Sequence, residues 1–287
     1  MAVFLGLLAS VAYGVADFVG GVVSRRNHVF TVLLWGQFIG MAWVLAALPF
    51  LAGGPPTAPA LLFGAGAGVG GTFGAAALFR GLARGRMGVV APVTAVLAAS
   101  LPVLFGLLTG ERPTPLALVG VAVALGAIAL VSTVPEPGEE HGRGAVLRAR
   151  LVAEGLPEAV AAGLCFALYF VLISLVPDDS GLWPILGVRS SSMAISGAIV
   201  LGTGVQFRPV PGTTGVVLVG GLVGTVADYV FLLASRLGLL SVVAVLTSLY
   251  PVTTVVLART VLKERMGRVQ LAGLVLAGTG VILITLG

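Results

Sequence analysis

The sequence predicts an all-α integral membrane protein, ten transmembrane helices in two inverted five-helix repeats. Three observations carry this reading. The 287 residues are 58% hydrophobic and only 9% charged, whereas soluble domains carry about 25% charged residues. A chain so poor in charge cannot cover itself with a water-facing surface and belongs in a bilayer. Stretches of roughly 20 apolar residues, the length needed to cross a membrane, recur ten times. Finally, shifting the chain by 153 residues superimposes Val89-Val90-Ala91 on Val242-Val243-Ala244, Thr94 on Thr247 and Val103-Leu104 on Val256-Leu257. The same shift aligns residues 109–126 with 262–279, each with a Glu-Arg pair nine residues before a glycine. Internal repetition in an apolar chain points to duplicated halves around a pseudo-two-fold axis.

The first span, 2–23, has no basic residue ahead of it and is too long for the apolar core of a signal peptide, so it reads as the first member of the set. At helical spacing Ser10, Tyr13, Gly14, Asp17, Gly21 and Ser24 form a small-and-polar stripe, which should face the bundle interior. The second span, 29–51, stops at the breaker run Gly53-Gly54-Pro55-Pro56. The third, 59–82, carries a glycine ladder from Gly64 to Gly74 with overlapping GxxxG spacings, a signal of close helix approach. The fourth, 87–109, holds Pro92 and Pro102, where a kink or break could line a pathway. Arg112-Pro113-Thr114-Pro115 separates it from the fifth, 114–134.

Residues 135–156 begin acidic and turn basic, and they read as a linker between a first repeat, 1–134, and a second, 157–287. A short helix lying on the membrane surface is expected within this linker. The sixth span, 157–177, ends at Pro177-Asp178-Asp179, and the seventh, 183–205, ends ahead of Pro209-Val210-Pro211. The eighth, 212–235, sets Gly221, Gly224, Thr225, Asp228 and Ser235 on one stripe. The ninth, 239–261, contains Pro251, a third position where a kink or break could line a pathway, and the tenth is 267–286.

Basic residues fix the threading. Numbering the nine connections in order and including helix ends, the odd ones hold 13 Lys and Arg and the even ones 2, with Arg189 inside the seventh span. The positive-inside rule then places the odd connections in the cytoplasm and both termini outside. Connections one to four hold 2, 0, 3 and 1 basic residues, and six to nine hold 0, 1, 1 and 4. The bias reverses at every position, as an upside-down second half requires.

Several function classes fall away. The net charge of +5 lies in short gaps between apolar runs, which suits anionic lipid rather than nucleic acid. The lone Cys165 allows no internal disulfide or cysteine cluster, and His28 and His141 lie far apart in loops, so no metal site and no cofactor is expected. No phosphate-loop motif is present. A membrane-embedded or lipid-handling enzyme would need a constellation of His, Asp, Glu or Cys near one interface, and none is evident. A channel is the other alternative to a carrier. Lys263 is the only lysine among abundant Arg, Ala, Gly and Val, a composition that suggests a GC-rich bacterium and its cytoplasmic membrane.

Over essentially its whole length the chain resembles the EamA family of the drug/metabolite transporter superfamily. The marks are Gly110-Glu111-Arg112 with Gly120 and Gly126, and Lys263-Glu264-Arg265 with Gly273 and Gly278. The resemblance implies a secondary transporter, an exporter of a small organic metabolite or drug, working as monomer or homodimer. Many family members have cytoplasmic termini, and the arginine count here argues the opposite. The first span is also similar to its counterpart in the small multidrug resistance proteins, where a buried Glu precedes Gly by three positions and a basic residue by eight. Asp17, Gly20 and Arg25 hold that spacing, with Asp in place of Glu. In those relatives the acid binds protons and cationic substrate in competition, and the resemblance implies that role for Asp17.

The residues also nominate a site directly. A charge near mid-membrane costs ~2.5–3.5 kcal/mol on insertion scales, so Asp17, Arg189 and Asp228 each need a reason. Desolvation favours the neutral form of a carboxyl group, which suits Asp17 to proton exchange; its alternative is an interfacial contact with water or Arg25. Arg189 and Asp228 fall at one depth, consistent with an ion pair. Tyr13, Trp35, Gln37, Tyr169, Tyr229 and Tyr250 are candidates to line a solute site, against ordinary packing or an interfacial aromatic belt. Ser190-Ser191-Ser192 could bind an anion or simply let helices approach. Glu111 and Glu264 read as structural, at helix–helix turns.

Overall fold

The computed structural model describes residues 1–84, 87–131, 143–261 and 268–286. Its regular elements are eleven helices: α1 (Ala2–Ser24), α2 (Val29–Leu51), α3 (Ala58–Arg84), α4 (Met87–Leu108), α5 (Pro115–Val131), α6 (Arg143–Ser174), α7 (Trp183–Thr203), α8 (Thr214–Leu237), α9 (Leu240–Thr247), α10 (Tyr250–Val261) and α11 (Arg268–Leu286). There is no strand among the described residues. Six segments are long and apolar enough to span a membrane by themselves: α1, α2, Ala58–Leu82, Gly155–Ser174, α7 and α8. Four shorter apolar helices of 10–17 residues bring the set to ten.

One element realises a break the sequence allowed, and another differs from the sequence expectation. The ninth span is two helices, broken at Ser248-Leu249 just ahead of Tyr250-Pro251. Proline lacks an N–H and disfavours helical geometry in the residue before it, so the helix must restart there. The expected linker helix on the membrane surface is instead continuous with the sixth span, because α6 starts at Arg143 and runs through Pro157. Residues 143–156 are rich in Ala, Leu, Arg and Glu, strong helix formers that extend the helix backward. Residues 262–267, with Lys263, Glu264 and Arg265, and residues 132–142, with His141, lie outside the described residues.

Helix pairing follows a rule. α1 packs on α8 as α6 packs on α3; α7 packs on α3 as α2 packs on α8; and α6 packs on α4 as α1 packs on α9. Advancing five spans along the chain exchanges the members of each pair of contacts, and it maps the α2–α7, α4–α9 and α5–α11 contacts onto themselves. The relation holds at the level of atoms. Thr94 Oγ1 donates to Ala159 O at 3.1 Å, and Thr247 Oγ1 donates to Gly6 O at 3.5 Å. Both ends of the second bond are those of the first shifted by 153 residues. Likewise Gly71 faces the Tyr169 ring, and its counterpart Gly224 faces Ala16, the counterpart of Tyr169.

The glycine ladder explains why α3 can approach two neighbours closely. A β-carbon at Gly64 would overlap the Pro184 carbonyl of α7, and one at Gly70 would lie 2.7 Å from Cys165 O of α6. Ser191 and Ser192 of α7 complete the seam by donating to Ala65 O at 2.8 Å and Gly68 O at 3.1 Å. Elsewhere in the bundle, Glu111 closes a turn. Its carboxylate accepts from Leu240 N at 2.7 Å and Ser241 N at 3.0 Å, capping α9 with negative charge at the positive end of the helix dipole. Replacing Gly64 with Val is expected to destabilise the protein by about 1–3 kcal/mol or more through overpacking. The readout is a lowered unfolding temperature in detergent, with Gly278→Val, which meets nothing within 4 Å, as the unperturbed control.

Candidate functional site

A cavity of about 150 Å³ lies in the middle of the bundle, walled by α1, α2, α3, α6, α7, α8 and the first residue of α10. That is the order of space an engineered apolar cavity uses to hold a benzene ring. Tyr13, Asp17, Gln37, Tyr169, Arg189, Ser192, Asp228 and Tyr250 are its polar lining side chains, set among Phe79, Phe166, Phe170 and small residues.

Arg189 and Asp228 form an ion pair across α7 and α8 and are 7% and 6% exposed, so both charges are withdrawn from solvent. Each has further partners. Arg189 Nη1 donates to Gln37 Oε1 at 2.7 Å. Asp228 Oδ1 accepts from Tyr13 OH and from Tyr169 OH, both at 2.7 Å. The five residues come from five helices (α1, α2, α6, α7 and α8), and the network neutralises itself. Gly40 of α2 makes room beside it, since a β-carbon there would overlap Thr225 Oγ1 of α8 and stand 3.1 Å from Arg189 Cδ. Aromatic contacts support the tyrosines: Tyr13 meets Phe170 edge-on at 6.4 Å, Tyr169 meets Phe170 at 5.6 Å, and Phe170 lies 4.5 Å from Phe231.

Asp17 follows Tyr13 by one helical turn and lines the same cavity. It makes no hydrogen bond or ion pair with any described residue. Tyr250, 4% exposed, has a hydroxyl with no hydrogen-bond partner among the described residues and also lines the cavity. Its place depends on the break in the ninth span, which starts α10 at this residue. Thr254 Oγ1 donates to Gly14 O at 3.2 Å and ties α10 to α1 beside it.

Not every nominated residue is brought here. Trp35 donates its indole N–H to Phe207 O at 2.8 Å and packs against Phe38 and Phe207, outside the cavity. Tyr229 follows Asp228 in sequence, but each step in a helix turns the side chain by about 100°. It packs against Trp43 at 6.1 Å instead. Of the three serines, Ser190 is exposed and Ser191 bonds to the backbone of α3, while Ser192 lines the cavity and also bonds to that backbone. Phe79, Phe166, Phe170, Gly71 and Ala75 are lining residues that the sequence reading did not nominate.

The cavity straddles the relation between the halves. Tyr13 and Phe166, Ala16 and Tyr169, Asp17 and Phe170, Gly36 and Arg189, Gly71 and Gly224, and Ala75 and Asp228 are pairs under the 153-residue shift, and both members of every pair line it. Replacing Asp228 alone with Leu leaves a buried guanidinium unpaired and is expected to destabilise by about 3–5 kcal/mol. Replacing Arg189 with Met as well should restore most of the lost unfolding temperature in detergent. Equal instability of the single and double variants would show the pair not to be the coupled unit.

The profile of the EamA-like transporter family matches residues 1–133 and again 155–286. A protein of known crystal structure superimposes with a TM-score of 0.74 at 21% identity, over 99% of this chain and 96% of that one, a likeness of fold. No curated protein sequence matches.

Proposed function

The chain belongs to the EamA-like transporter family, matched twice along its length, and we propose that it is a secondary carrier exporting a small organic solute in exchange for protons, with Asp17 as the exchanging group. Family membership together with its many apolar helices makes it a multi-pass membrane protein with a small-molecule substrate, and the family is one of transporters rather than enzymes. The finer assignments are our reading. The halves, 1–134 and 157–287 joined by 135–156, are inverted repeats. Five spans is an odd number, so a second set of five that follows the first through the bilayer enters from the opposite face. The arginine count supports the same threading and places the odd connections in the cytoplasm of a bacterium.

One observation carries the mechanism. Two acids line one cavity, and they are treated differently. Asp228 is held by a guanidinium and two tyrosine hydroxyls, whereas Asp17 has no such partner among the described residues. A carboxylate facing a water-poor cavity requires a counter-charge or a proton. When the protein supplies neither, the solute or the proton must, and occupation by one excludes the other. The Tyr250 hydroxyl offers the solute a hydrogen bond, and the aromatic rings offer apolar contact. Rocking of the halves about the shared cavity would expose Asp17 to each side in turn.

The test is Asp17→Asn in proteoliposomes with an imposed proton gradient, using a solute found by thermal-shift screening of amino acids, nucleosides and organic cations. Gradient-driven accumulation should be abolished while membrane insertion is retained, and Asp17→Glu should keep part of the flux. Unchanged coupled flux in Asp17→Asn would sink the assignment. Counterflow should show trans-stimulation by unlabelled solute, which a channel does not give.

A further inference from the structure

The break in the ninth span has no counterpart in the other half. Under the 153-residue shift Ser248, Leu249, Tyr250 and Pro251 correspond to Ala95, Val96, Leu97 and Ala98, which lie inside the unbroken α4. α6 packs along α4 as α1 packs along α9 and α10. In the first of these seams a β-carbon added to Gly163 would lie 2.6 Å from Leu97 Cβ and 3.0 Å from Thr94 O, so the unbroken helix leaves no room for a side chain. The counterpart of Gly163 is Ser10. Ser10 lies one turn from Gly6, where an added β-carbon would stand 3.2 Å from Leu246 Cβ, and one turn from Gly14, where it would stand 2.6 Å from Tyr250 O. It therefore faces Ser248-Leu249, and its side chain fits because the facing helix is interrupted.

The interruption strands oxygen atoms. In a continuous helix Thr247 O would accept from residue 251, but Pro251 has no N–H. Ser248 O loses its partner because Val252 N donates to Leu249 O at 2.9 Å, and Val245 O loses its own because Leu249 N turns to Leu246 O at 3.3 Å. Val245, Thr247 and Ser248 are 0% exposed. Ser248 Oγ has no hydrogen-bond partner among the described residues, and Ser10, 3% exposed, sets a second hydroxyl opposite. These groups gather at the C-terminal end of α9, the negative end of its dipole. Buried carbonyls are almost always paired, and hydrocarbon offers them nothing.

We propose that the break binds a small monovalent cation, sodium, through the carbonyl oxygens of Val245, Thr247 and Ser248 and the hydroxyls of Ser248 and Ser10. A water molecule has two hydrogens to give and leaves acceptors over, whereas a cation meets them all. Unwound carbonyls and helix C-terminal ends hold sodium in this way in other discontinuous membrane helices. The donor set is all oxygen and uncharged, which suits one positive charge; calcium and magnesium draw on carboxylates. The acid on α1, Asp17, is seven residues and about 10 Å further along the axis. Tyr250 follows the site directly and lines the cavity. The ion thus fixes where α10 restarts, and with it where that hydroxyl stands.

The experiment is a thermal-unfolding titration of the full-length protein in detergent, with sodium chloride exchanged for choline chloride at constant ionic strength and pH. Sodium should raise the unfolding temperature saturably, by about 2–4 °C or more, and choline should not. Ser248→Ala and Ser10→Gly install the residues that the other half carries at these positions. Each should weaken the sodium response by about tenfold or more in concentration while the protein stays folded in choline. Ser235→Ala removes a hydroxyl that bonds within its own helix and should keep the response. Asp17→Asn should keep it too, which separates this site from the acid in the cavity. Equal behaviour in sodium and choline would overturn the inference, and so would a response undiminished in either Ser10→Gly or Ser248→Ala, or lost in Asp17→Asn. No solute or proton gradient enters the measurement, so its failure leaves the Asp17 flux test standing.

Discussion

The Arg189–Asp228 ion pair is the constraint around which the rest is arranged. Either charge alone would be hard to keep between apolar helices, and even the pair draws on further partners, although Arg189 Nε has none among the described residues. That requirement reaches outward. Gln37 takes a guanidinium N–H, Tyr13 and Tyr169 take the carboxylate, and Gly40 gives up its side chain to the arginine stem. One pair of opposite charges thereby fixes the rotational setting of five helices. The tyrosines in turn are held by Phe170 and Phe231, so the polar network passes directly into the apolar core.

This network is also where the two halves cease to be equivalent. The counterparts of Arg189, Asp228 and Tyr169 under the 153-residue shift are Gly36, Ala75 and Ala16, and those of Tyr13 and Asp17 are Phe166 and Phe170. Elsewhere the shift preserves chemistry, as with Thr94 and Thr247, whose hydroxyls bond to equivalent carbonyls. The backbone frame keeps its two-fold relation because each seam needs small residues and matched bonds in both halves. The cavity departs from it, which under the proposed function suits a solute that is not itself symmetric. Each large polar side chain on one wall has a small or apolar partner opposite, which leaves space where two copies of it would collide.

The bilayer made the fold legible. A solvent of hydrocarbon imposes length, apolarity and short connections on every span, so α1, α2 and α7 lie within a few residues of where hydropathy puts them. Hydropathy is blind to a break that stays apolar. The interruption at Ser248-Leu249 was visible only through Pro251, and the backward extension of α6 to Arg143 only through helix propensity beyond the membrane. At the site, Asp17, Arg189 and Asp228 stood out because intramembrane charge is rare. Aromatic residues carry no such signal. Trp35 and Tyr229 look like Tyr13 in sequence, and only the helix rotation that packing sets sends them elsewhere. Phe166 and Phe170 could have been found from the sequence: the repeat shift places them opposite Tyr13 and Asp17.

Under the proposed function, the unequal treatment of the two acids is what turns this architecture toward exchange rather than storage. If Asp17 were held as Asp228 is, the cavity would be electrically complete and nothing entering it would be required. With Arg189 and Asp228 cancelling, the site residues leave one negative charge whenever Asp17 is ionised. In a cavity walled by phenylalanine and tyrosine, no described residue pairs with that charge, and the proposed function assigns the pairing to something that arrives from outside the protein. A transporter needs such a group, one whose partner must come and go. The proposed role also places that group beside a part of the structure with fixed partners. Asp228, locked to Arg189 one layer away from Asp17, supplies that fixed neighbour.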